Sequence, residues 1–368
     1  MRMPRFKRLA PACLLATSLA LVSGGVFAST AGAAKSTIET PSSGTVSETG
    51  STLEFPLWNL WSSAYSTKFP AVTIQTAGTG SGVGITDATN GTADIGASDA
   101  YLSPADVTAT PTLLNIPLAI SAQLITYNIP GVNAHLKLTG KVISSIYQGK
   151  VTNWNNSAIT SLNPGVTLPN LPIVTLHRSD SSGDTFLFTQ FLSLTDPSGW
   201  GKSPGFNTTI DWPNAPGALG QMGNSGMVAG CKATAGCIAY VGISYLTQAL
   251  QSGLGYAQLQ NANKQYVLPS PASISAEAAA FASKTPANGT LSLIYGKAPG
   301  GYPIINYEYA IVNDKQSSSS TAKNIRSVLE WAVNLSYGNS PSYLEQVNFE
   351  PLPAKVVAQS VKQISKIK

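Results

Sequence analysis

The segment HRSDSSGDTFLFTQFL, from His177 to Leu192, gathers side chains that could bind an anion. It places an arginine, two aspartates and three serines around Gly183, just before an apolar pattern with helical spacing. One serine, threonine or aspartate is enough to cap a helix, and such a cap contributes about 1 kcal/mol. Six residues of these types lie between Ser179 and Thr185, so capping alone does not account for them.

Turns rich in glycine, serine and threonine precede predicted helices at three places along the chain. Each turn offers free backbone N–H groups and hydroxyls at the positive end of a helix dipole, which is a combination that binds anions. The turn GTGSG is neither a Walker loop, since no Lys-Ser/Thr follows, nor a dinucleotide fingerprint. We expect the three turns to converge on one anion. They are TGSTLEFPLW (49–58), GTGSGVGI (78–85) and SSGDTFLF (181–188).

Two charged residues beside these turns suggest which anion is bound. Arg178 ends a predicted strand, where its guanidinium could hold an oxyanion through two parallel hydrogen bonds. The alternative is a surface arginine paired with Asp180, and both roles are compatible. Asp99, in GASDAYLS, is an acceptor when ionised, so it would favour an anion that still carries a proton, HPO4²⁻ or H2PO4⁻, over sulfate. A simple turn role for Asp99 remains the alternative.

The elements around these residues alternate between strand and helix, which predicts an α/β architecture. AVTIQTAGTG reads as a strand and VGITDATNG as a short helix closed by Gly91. LNIPLAISAQLITYNIPG reads as one or two strands, GYPIINYEYAIVN as a strand pair, and TAKNIRSVLEWAVNLSYG as an amphipathic helix. The length of 368 residues predicts two such lobes, with a ligand beyond the carboxyl ends of strands.

Residues 1–28 have the features of a secretory signal. MRMPRFKR supplies four basic residues, CLLATSLALV is a short apolar run, and VFA is a cleavage motif before Ser29. An anchor helix is the alternative, but the apolar run is short for a bilayer. Residues 29–46 are predicted to form a flexible polar tether. Without the signal, 18 of the 22 basic residues remain against 17 acidic ones, which gives no support to a nucleic-acid partner.

The cysteines fit an exported protein. Cys13 leaves with the predicted signal, which leaves Cys231 and Cys237 in GCKATAGC. In an oxidising compartment this pair is expected to form a disulfide that closes a small loop. A zinc site is the weaker alternative because no histidine or further cysteine lies nearby.

Seven motifs together carry a resemblance to a known family. From about Ser47 to Pro353 the chain resembles the periplasmic phosphate-binding component of the bacterial phosphate ABC transporter, the PstS family, and most of all its surface-lipoprotein branch. The motifs are ETGSTLEFPLWNLW, GTGSGVGI, GTADIGASDAYLS, LHRSDSSGDTFLFTQFLS, GWGKSPGF, GCIAYVGIS and GYPIINYEYAIVN.

The resemblance implies a set of phosphate ligands drawn from the three turns. Asp180 is implied as the partner that fixes Arg178. Asp184 stands where some members have threonine, and we expect its backbone N–H, not its carboxylate, to face phosphate. No cofactor or metal is implied. The implied phosphate-binding residues are Ser51, Thr52, Leu53 (through its backbone), Ser81, Asp99, Arg178, Ser182, Gly183 and Asp184.

The resemblance also implies a fold and partners. The fold is the two-lobe, type II periplasmic-binding-protein fold, which closes like a hinged clamp. We place its crossing segments near Ser121–Asn128 and Gly301–Glu308, so lobe I is 47–120 plus 302–368 and lobe II is 121–301. The implied partners are inorganic phosphate and the permease and ATPase subunits of an ABC transporter, with the binding protein a monomer.

The N-terminus departs from the lipoprotein branch, whose members carry a cysteine directly after the apolar signal core. Here Cys13 precedes that core and VFAST contains none, so a lipid anchor has no lipobox to support it. We therefore expect a periplasmic, cell-envelope or secreted protein with a cleaved signal.

Three alternatives in function stay open. A secreted phosphatase or hydrolase would need an activated nucleophile, yet beyond the signal only His135 and His177 are present and no G-x-S-x-G elbow appears. The ligand could be another oxyanion, with arsenate the hardest to exclude. A sugar-binding or adhesion module could use the tryptophans, although aromatics at helical spacing belong more often to a core. The tryptophans are Trp58, Trp61, Trp154, Trp200, Trp212 and Trp331.

Overall fold

The computed structural model describes residues 38–368. The predicted signal and the first part of the predicted tether lie outside these residues. None of the helices in residues 38–368 combines the length and apolar character needed to cross a bilayer.

Twelve strands form one nine-stranded sheet and one three-stranded sheet in this part of the chain. The large sheet has the order β2-β1-β3-β12-β4-β8-β6-β7, with β9 added beside β4, and the small sheet has the order β11-β10-β5. The strands are β1 Gly44–Gly50, β2 Val72–Gly78, β3 Ile95–Ser98, β4 Leu113–Tyr127, β5 Lys137–Leu138, β6 Val174–Arg178, β7 Leu219–Gln221, β8 Cys237–Gly242, β9 Gly255–Tyr256, β10 Gln258–Gln260, β11 Tyr266–Val267 and β12 Ile305–Asn313.

The long strand β4 joins two groups of parallel strands. Its first ten residues, 113–122, pair antiparallel with β12, and its last five, 123–127, pair antiparallel with β8. On one side β1 runs parallel to β2 and β3, and on the other β6 runs parallel to β7 and β8. Every residue of β4 is buried, which explains why its sequence is mostly apolar on both faces rather than alternating.

Helices cover the sheet, and most of them connect one strand to the next. The amphipathic pattern predicted in TAKNIRSVLEWAVNLSYG is confirmed as α10, and the short helix closed by Gly91 is confirmed as α2. The helices are α1 Phe55–Lys68, α2 Ser81–Asn90, α3 Pro104–Ala109, α4 Gly140–Tyr147, α5 Ser157–Thr160, α6 Gly183–Thr195, α7 Gly223–Ala233, α8 Leu246–Gln251, α9 Pro271–Ala282, α10 Ser319–Ala332, α11 Pro341–Leu344 and α12 Ala354–Ile364, with short 3-10 turns at Ile243–Tyr245 and Glu345–Val347.

Two predictions need correction. GYPIINYEYAIVN forms one strand, β12, and not a strand pair, because residues 301–304 enter it as irregular backbone. The tether predicted for residues 29–46 is wrong at its C-terminal end, since Val46 is fully buried within β1. Before β1, Glu39 accepts a hydrogen bond from Nε of Arg326 at 2.8 Å, which fixes this segment against α10.

The disulfide predicted between Cys231 and Cys237 is present. It joins the last turn of α7 to the first residue of β8, and both cysteines are fully buried. The bond therefore ties a helix to the strand that pairs with the second part of β4.

Candidate functional site

Asp99 lies at the centre of the predicted site, just beyond the carboxyl end of β3. β1 and β3 are parallel neighbours, so Ser51 follows β1 beside Asp99. The Ser51 hydroxyl donates a hydrogen bond to Oδ1 of Asp99. Its oxygen also accepts the free N–H groups of Leu53, at 3.1 Å, and Glu54, at 3.0 Å, before α1 begins. The first turn and Asp99 are therefore one hydrogen-bonded unit.

The second and third turns meet at the same carboxylate. The Ser81 hydroxyl lies 3.4 Å from Oδ2 of Asp99 and accepts the Asp99 N–H at 3.3 Å. A Cβ atom placed on Gly183 would lie 2.4 Å from Oδ2 of Asp99 and 2.5 Å from Oγ of Ser81. The start of α6 can approach this closely only because residue 183 has no side chain.

Arg178 is the last residue of β6, and its guanidinium is held by two carboxylates. Its Nε donates to Oδ1 of Asp180 at 2.7 Å and its Nη2 donates to Oδ2 of the same residue. Its Nη1 donates to Oδ2 of Asp184 at 3.1 Å. Arg178 is 4% exposed, so the alternative of a surface arginine does not describe it. Asp180 is in the position expected of the residue that fixes the guanidinium.

The carboxylate of Asp184 has three donors around it. Besides Nη1 of Arg178, it accepts from Nδ2 of Asn224 at 2.6 Å and from Nε2 of Gln123 at 3.1 Å. Its side chain is thus oriented by residues from β4, β6 and α7. Whether its backbone N–H faces an anion stays a prediction.

Asn224 was not among the residues predicted for the site. Its Nδ2 donates to Oγ1 of Thr52 at 3.0 Å as well as to Asp184, and its Oδ1 accepts the N–H of Gly242 at 2.7 Å. It therefore links the turn before α1 to the residues around α6. The sequence signal for it was the Gly-Asn-Ser turn of QMGNSG, which opens α7 much as the other three turns open their helices.

The remaining predicted residues lie in the same place. Ser182 caps α6 by accepting the N–H of Thr185 at 3.3 Å. The carbonyl of Leu53 accepts the hydroxyl of Ser244 at 2.7 Å. The structure thus brings all nine predicted residues together, each of them buried: Ser51, Thr52, Leu53, Ser81, Asp99, Arg178, Ser182, Gly183 and Asp184.

Residues 35–334 match a family model described as a PBP superfamily domain. The phosphate-binding protein PstS of Methanocaldococcus jannaschii is 31% identical over 357 residues, covering 90% of this chain and 88% of that protein. The chain belongs to the PstS family. A second PstS, from Xylella fastidiosa strain Temecula1, is 30% identical over 315 residues, covering 85% of this chain and 83% of that protein.

Solved structures agree on the PstS-type fold. A phosphate-binding protein from Stenotrophomonas maltophilia superposes with a TM-score of 0.67 at 18% identity, covering 87% of this chain and 94% of that one. An ABC-type phosphate transport receptor from Vibrio cholerae gives 0.52 at 18% identity, covering 84% of this chain and all of that one. The fold is the two-lobe α/β fold of periplasmic binding proteins.

The pKa values of the acidic groups in this PstS-family site are shifted in different directions. Burial and the nearby charge of Asp184 raise the pKa of Asp99 to about 7, although hydrogen bonds from Glu308 and Ser51 oppose the rise. Burial also raises the pKa of Asp184, against the effect of the Arg178 charge. The pKa of Asp180 is lowered, because the hydrogen bonds and charge of Arg178 outweigh its partial burial.

The two histidines of residues 38–368 make aromatic and backbone contacts. His177 stacks its ring on Trp212 at a centroid distance of 4.8 Å, and burial lowers its pKa. Nδ1 of His135 donates to the Tyr256 carbonyl oxygen, 2.9 Å away. Within residues 38–368, no group of three or more His, Cys, Asp or Glu side chains could hold a metal ion.

Proposed function

We propose that this chain binds inorganic phosphate, as HPO4²⁻ or H2PO4⁻, outside the cytoplasmic membrane and delivers it to an ABC permease for import. The observation that carries the proposal is that three helix-opening turns meet at the carboxylate of Asp99, and that the charge of a buried arginine, Arg178, acts on the same carboxylate. The names of the relatives, phosphate-binding protein PstS, support the ligand, and the likeness to the ABC-type phosphate transport receptor of Vibrio cholerae supports the transporter.

Each part of the site has a distinct role in this proposal. The backbone N–H groups and hydroxyls before α1, α2 and α6 donate to the phosphate oxygens, and Arg178 supplies positive charge. Asp180 holds the guanidinium in orientation. Asp99 accepts the proton that phosphate retains, which sulfate lacks at neutral pH, so sulfate would meet an uncompensated acceptor. Asp184 contributes its backbone N–H group, and Leu53 contributes the N–H group that donates to the Ser51 hydroxyl oxygen in this structure.

Closure of two lobes would exclude water from the ligand. We assign lobe I to residues 47–120 plus 302–368, extended at its start to the whole of β1, and lobe II to 121–301. Hydrogen bonds between Thr52 and Asn224 and between Leu53 and Ser244 would then join the lobes in the closed form. The pairing of β4 with both β12 and β8 supports a hinge within 121–128 and 301–308.

The same proposal includes export and partners. Residues 1–28 are cleaved as a signal, and the Cys231–Cys237 disulfide fits an oxidising compartment. The mature protein acts as a monomer that docks on the permease, whose ATPase subunits lie in the cytoplasm. It is a solute-binding subunit and not an enzyme.

Isothermal calorimetry of the purified protein with phosphate, arsenate and sulfate tests the function. We expect phosphate to bind at least about 100-fold more tightly than sulfate, the scale of an unmatched buried acceptor. Arsenate, which is protonated like phosphate, should compete. Intrinsic tryptophan fluorescence should change as the lobes close. Sulfate binding as tight as phosphate, or steady turnover of p-nitrophenyl phosphate, would contradict the proposal.

A further inference from the structure

Nδ2 of Asn306 donates to Oε1 of Glu308 at 3.0 Å and to the backbone carbonyl of Asp99 at 3.3 Å, so the two acidic residues are neighbours, and the carboxyl group of each shifts the pKa of the other. Two ionised carboxylates are both acceptors only, so a hydrogen bond between these neighbours needs a proton on one of them. Glu308 lies on β12 and is fully buried, and the family resemblance did not place it in the site. The question is which of the two residues keeps the proton.

The donors around the two groups differ. Asp99 has the Ser51 hydroxyl at Oδ1 and the Ser81 hydroxyl at Oδ2, as an ionised carboxylate would. Oε1 of Glu308 accepts the Ser121 hydroxyl and Nδ2 of Asn306, at 3.0 Å. Oε2 of Glu308 is buried without any donor among residues 38–368. A bare, buried carboxylate oxygen is costly, whereas a protonated one needs an acceptor and has Asp99 beside it.

We propose that Glu308 is a positioning residue of the phosphate site, which stays neutral and donates its carboxyl hydrogen to Asp99. The donated hydrogen bond stabilises Asp99 as an acceptor in a site with little water, so Asp99 can receive the proton of the ligand. The inference rests on the proposed function, since it assigns Glu308 a role in selecting a protonated oxyanion.

The charges that face Glu308 favour its neutral form. After burial, the negative charges of Asp99, at the end of β3, and Glu54, before α1, are the main causes that raise its pKa well above the ordinary value. Burial raises the pKa of Tyr309, the next residue on β12, and the charge of Glu308 adds to the rise. No lysine or arginine of residues 38–368 forms an ion pair with it. Arg178 acts on Asp99 instead, so the positive charge favours ionisation of Asp99.

The position of Glu308 in the fold suits a positioning role. Ser121 on β4 is the strand partner of Asn306, and its hydroxyl donates to Oδ1 of Asn306 at 2.6 Å as well as to Glu308. Nδ2 of Asn306 also donates to the backbone carbonyl of Asp99 at 3.3 Å. The network therefore holds both the main chain and the carboxyl group of Asp99 from the two strands assigned to the hinge.

Two variants of Glu308 test the proposal in the full protein. E308Q keeps a neutral group that can donate to Asp99, whereas E308L keeps the approximate size but has no donor. We expect E308L to weaken phosphate binding by roughly tenfold or more, the scale of a hydrogen bond to a charged group, and to lower the ratio of phosphate to sulfate affinity. E308Q should recover most of that loss. Dissociation constants are measured by calorimetry from about pH 6 to about pH 8.5, the range in which a raised carboxyl pKa can act.

Glu277, on α9, offers the matched control because it is another fully buried glutamate. Its Oε2 accepts the N–H of Ala298 at 3.3 Å. E277Q and E277L report the general effect of losing a buried acid, and we expect neither to alter phosphate affinity. Phosphate affinity of E308L equal to that of the wild type overturns the inference. So does E308Q binding as weakly as E308L, since a carboxylate would then be required.

A measurement on the wild type keeps the proposal testable if a variant does not fold. The ¹³C resonance of the Glu308 side-chain carboxyl, assigned through its own backbone, should show no titration from about pH 3.5 to about pH 7, whereas an exposed glutamate titrates near 4.3. A Glu308 resonance that titrates near the ordinary value overturns the inference. Failure of the wild type to bind phosphate would instead overturn the proposed function, which the resonance does not depend on.

Discussion

The Arg178 side and the Asp99 side of the site hold their carboxylates in different ways. On the Arg178 side, one guanidinium pairs with Asp180 and Asp184; the pKa of Asp180 is lowered, while burial raises that of Asp184. On the Asp99 side, Asp99 lies near Glu308 with hydroxyls and no paired cation, and burial raises the pKa of both residues. The Arg178 side supplies positive charge that attracts any anion. The Asp99 side supplies an acceptor that favours an anion carrying a proton.

Removing the cation should have the largest effect. R178A leaves the buried carboxylate of Asp184 and the half-buried carboxylate of Asp180 without their cation, which costs about 3–5 kcal/mol of unfolding free energy. Phosphate affinity should fall by more than about 100-fold because the guanidinium donors are also lost. Thermal unfolding and calorimetry measure both effects.

R178K serves as the control for R178A, since it keeps the charge but loses the two-point geometry with Asp180. We expect an intermediate affinity for R178K. If R178A bound phosphate as tightly as the wild type, the Arg178 side would not be part of the phosphate site.

The contact between the two sides can be broken at Gly183. G183A would place a methyl group 2.4 Å from Oδ2 of Asp99 and 2.5 Å from Oγ of Ser81. Because both neighbours are themselves proposed ligands, we expect phosphate affinity to fall by about tenfold or more, the result of overpacking at a close contact. G226A is the matched control, since the nearest atoms to its new Cβ lie 3.9 Å away. Equal affinities of the two variants would show that the sides do not need to meet.

D99N removes the carboxylate that accepts a hydrogen bond from a protonated anion and leaves the residues of the Arg178 side unchanged. The amide offers an N–H donor, so sulfate should bind more tightly while phosphate weakens by about tenfold, the scale of one hydrogen bond to a charged group. Calorimetry with both anions measures the ratio of the two affinities, and D211N at an exposed position is the control. A phosphate-to-sulfate ratio unchanged from the wild type would contradict the role of Asp99.

The two sides also differ in how far the sequence predicted them. The turns at Ser51, Ser81 and Ser182 were predictable because helix-capping chemistry and glycine spacing are local patterns. Glu308 and Asn224 were not predicted, because their roles depend on pairing between β4 and β12 and on the approach of α7, which are contacts between distant residues. The predicted tether extended too far along the chain because β1, GTVSETG, has only one apolar side chain, Val46, and so shows no period of its own; its place is set by pairing with β2.

The smallest expected effect is a difference in how the two sides respond to pH without ligand. The folded pKa of Asp99, about 7, lies above its ordinary value, so the folded state retains a proton that the unfolded chain loses. The stability that this gives is complete at low pH and is lost as the pH rises through about 7. Asp180, whose pKa is lowered, contributes stability that is lost only as the pH falls.

We therefore expect the melting temperature of the phosphate-free protein to fall between about pH 5 and about pH 8, by roughly 2–4 °C for each kcal/mol lost. Glu48, with a pKa raised by burial to about 8, and Glu277, raised by burial to about 7, change in the same direction, so the wild type alone does not isolate Asp99. The melting temperature of D99N should fall less steeply with pH than that of the wild type, because the contribution of Asp99 is missing. Parallel slopes would mean that Asp99 is ionised throughout this range, as Asp180 is beside Arg178.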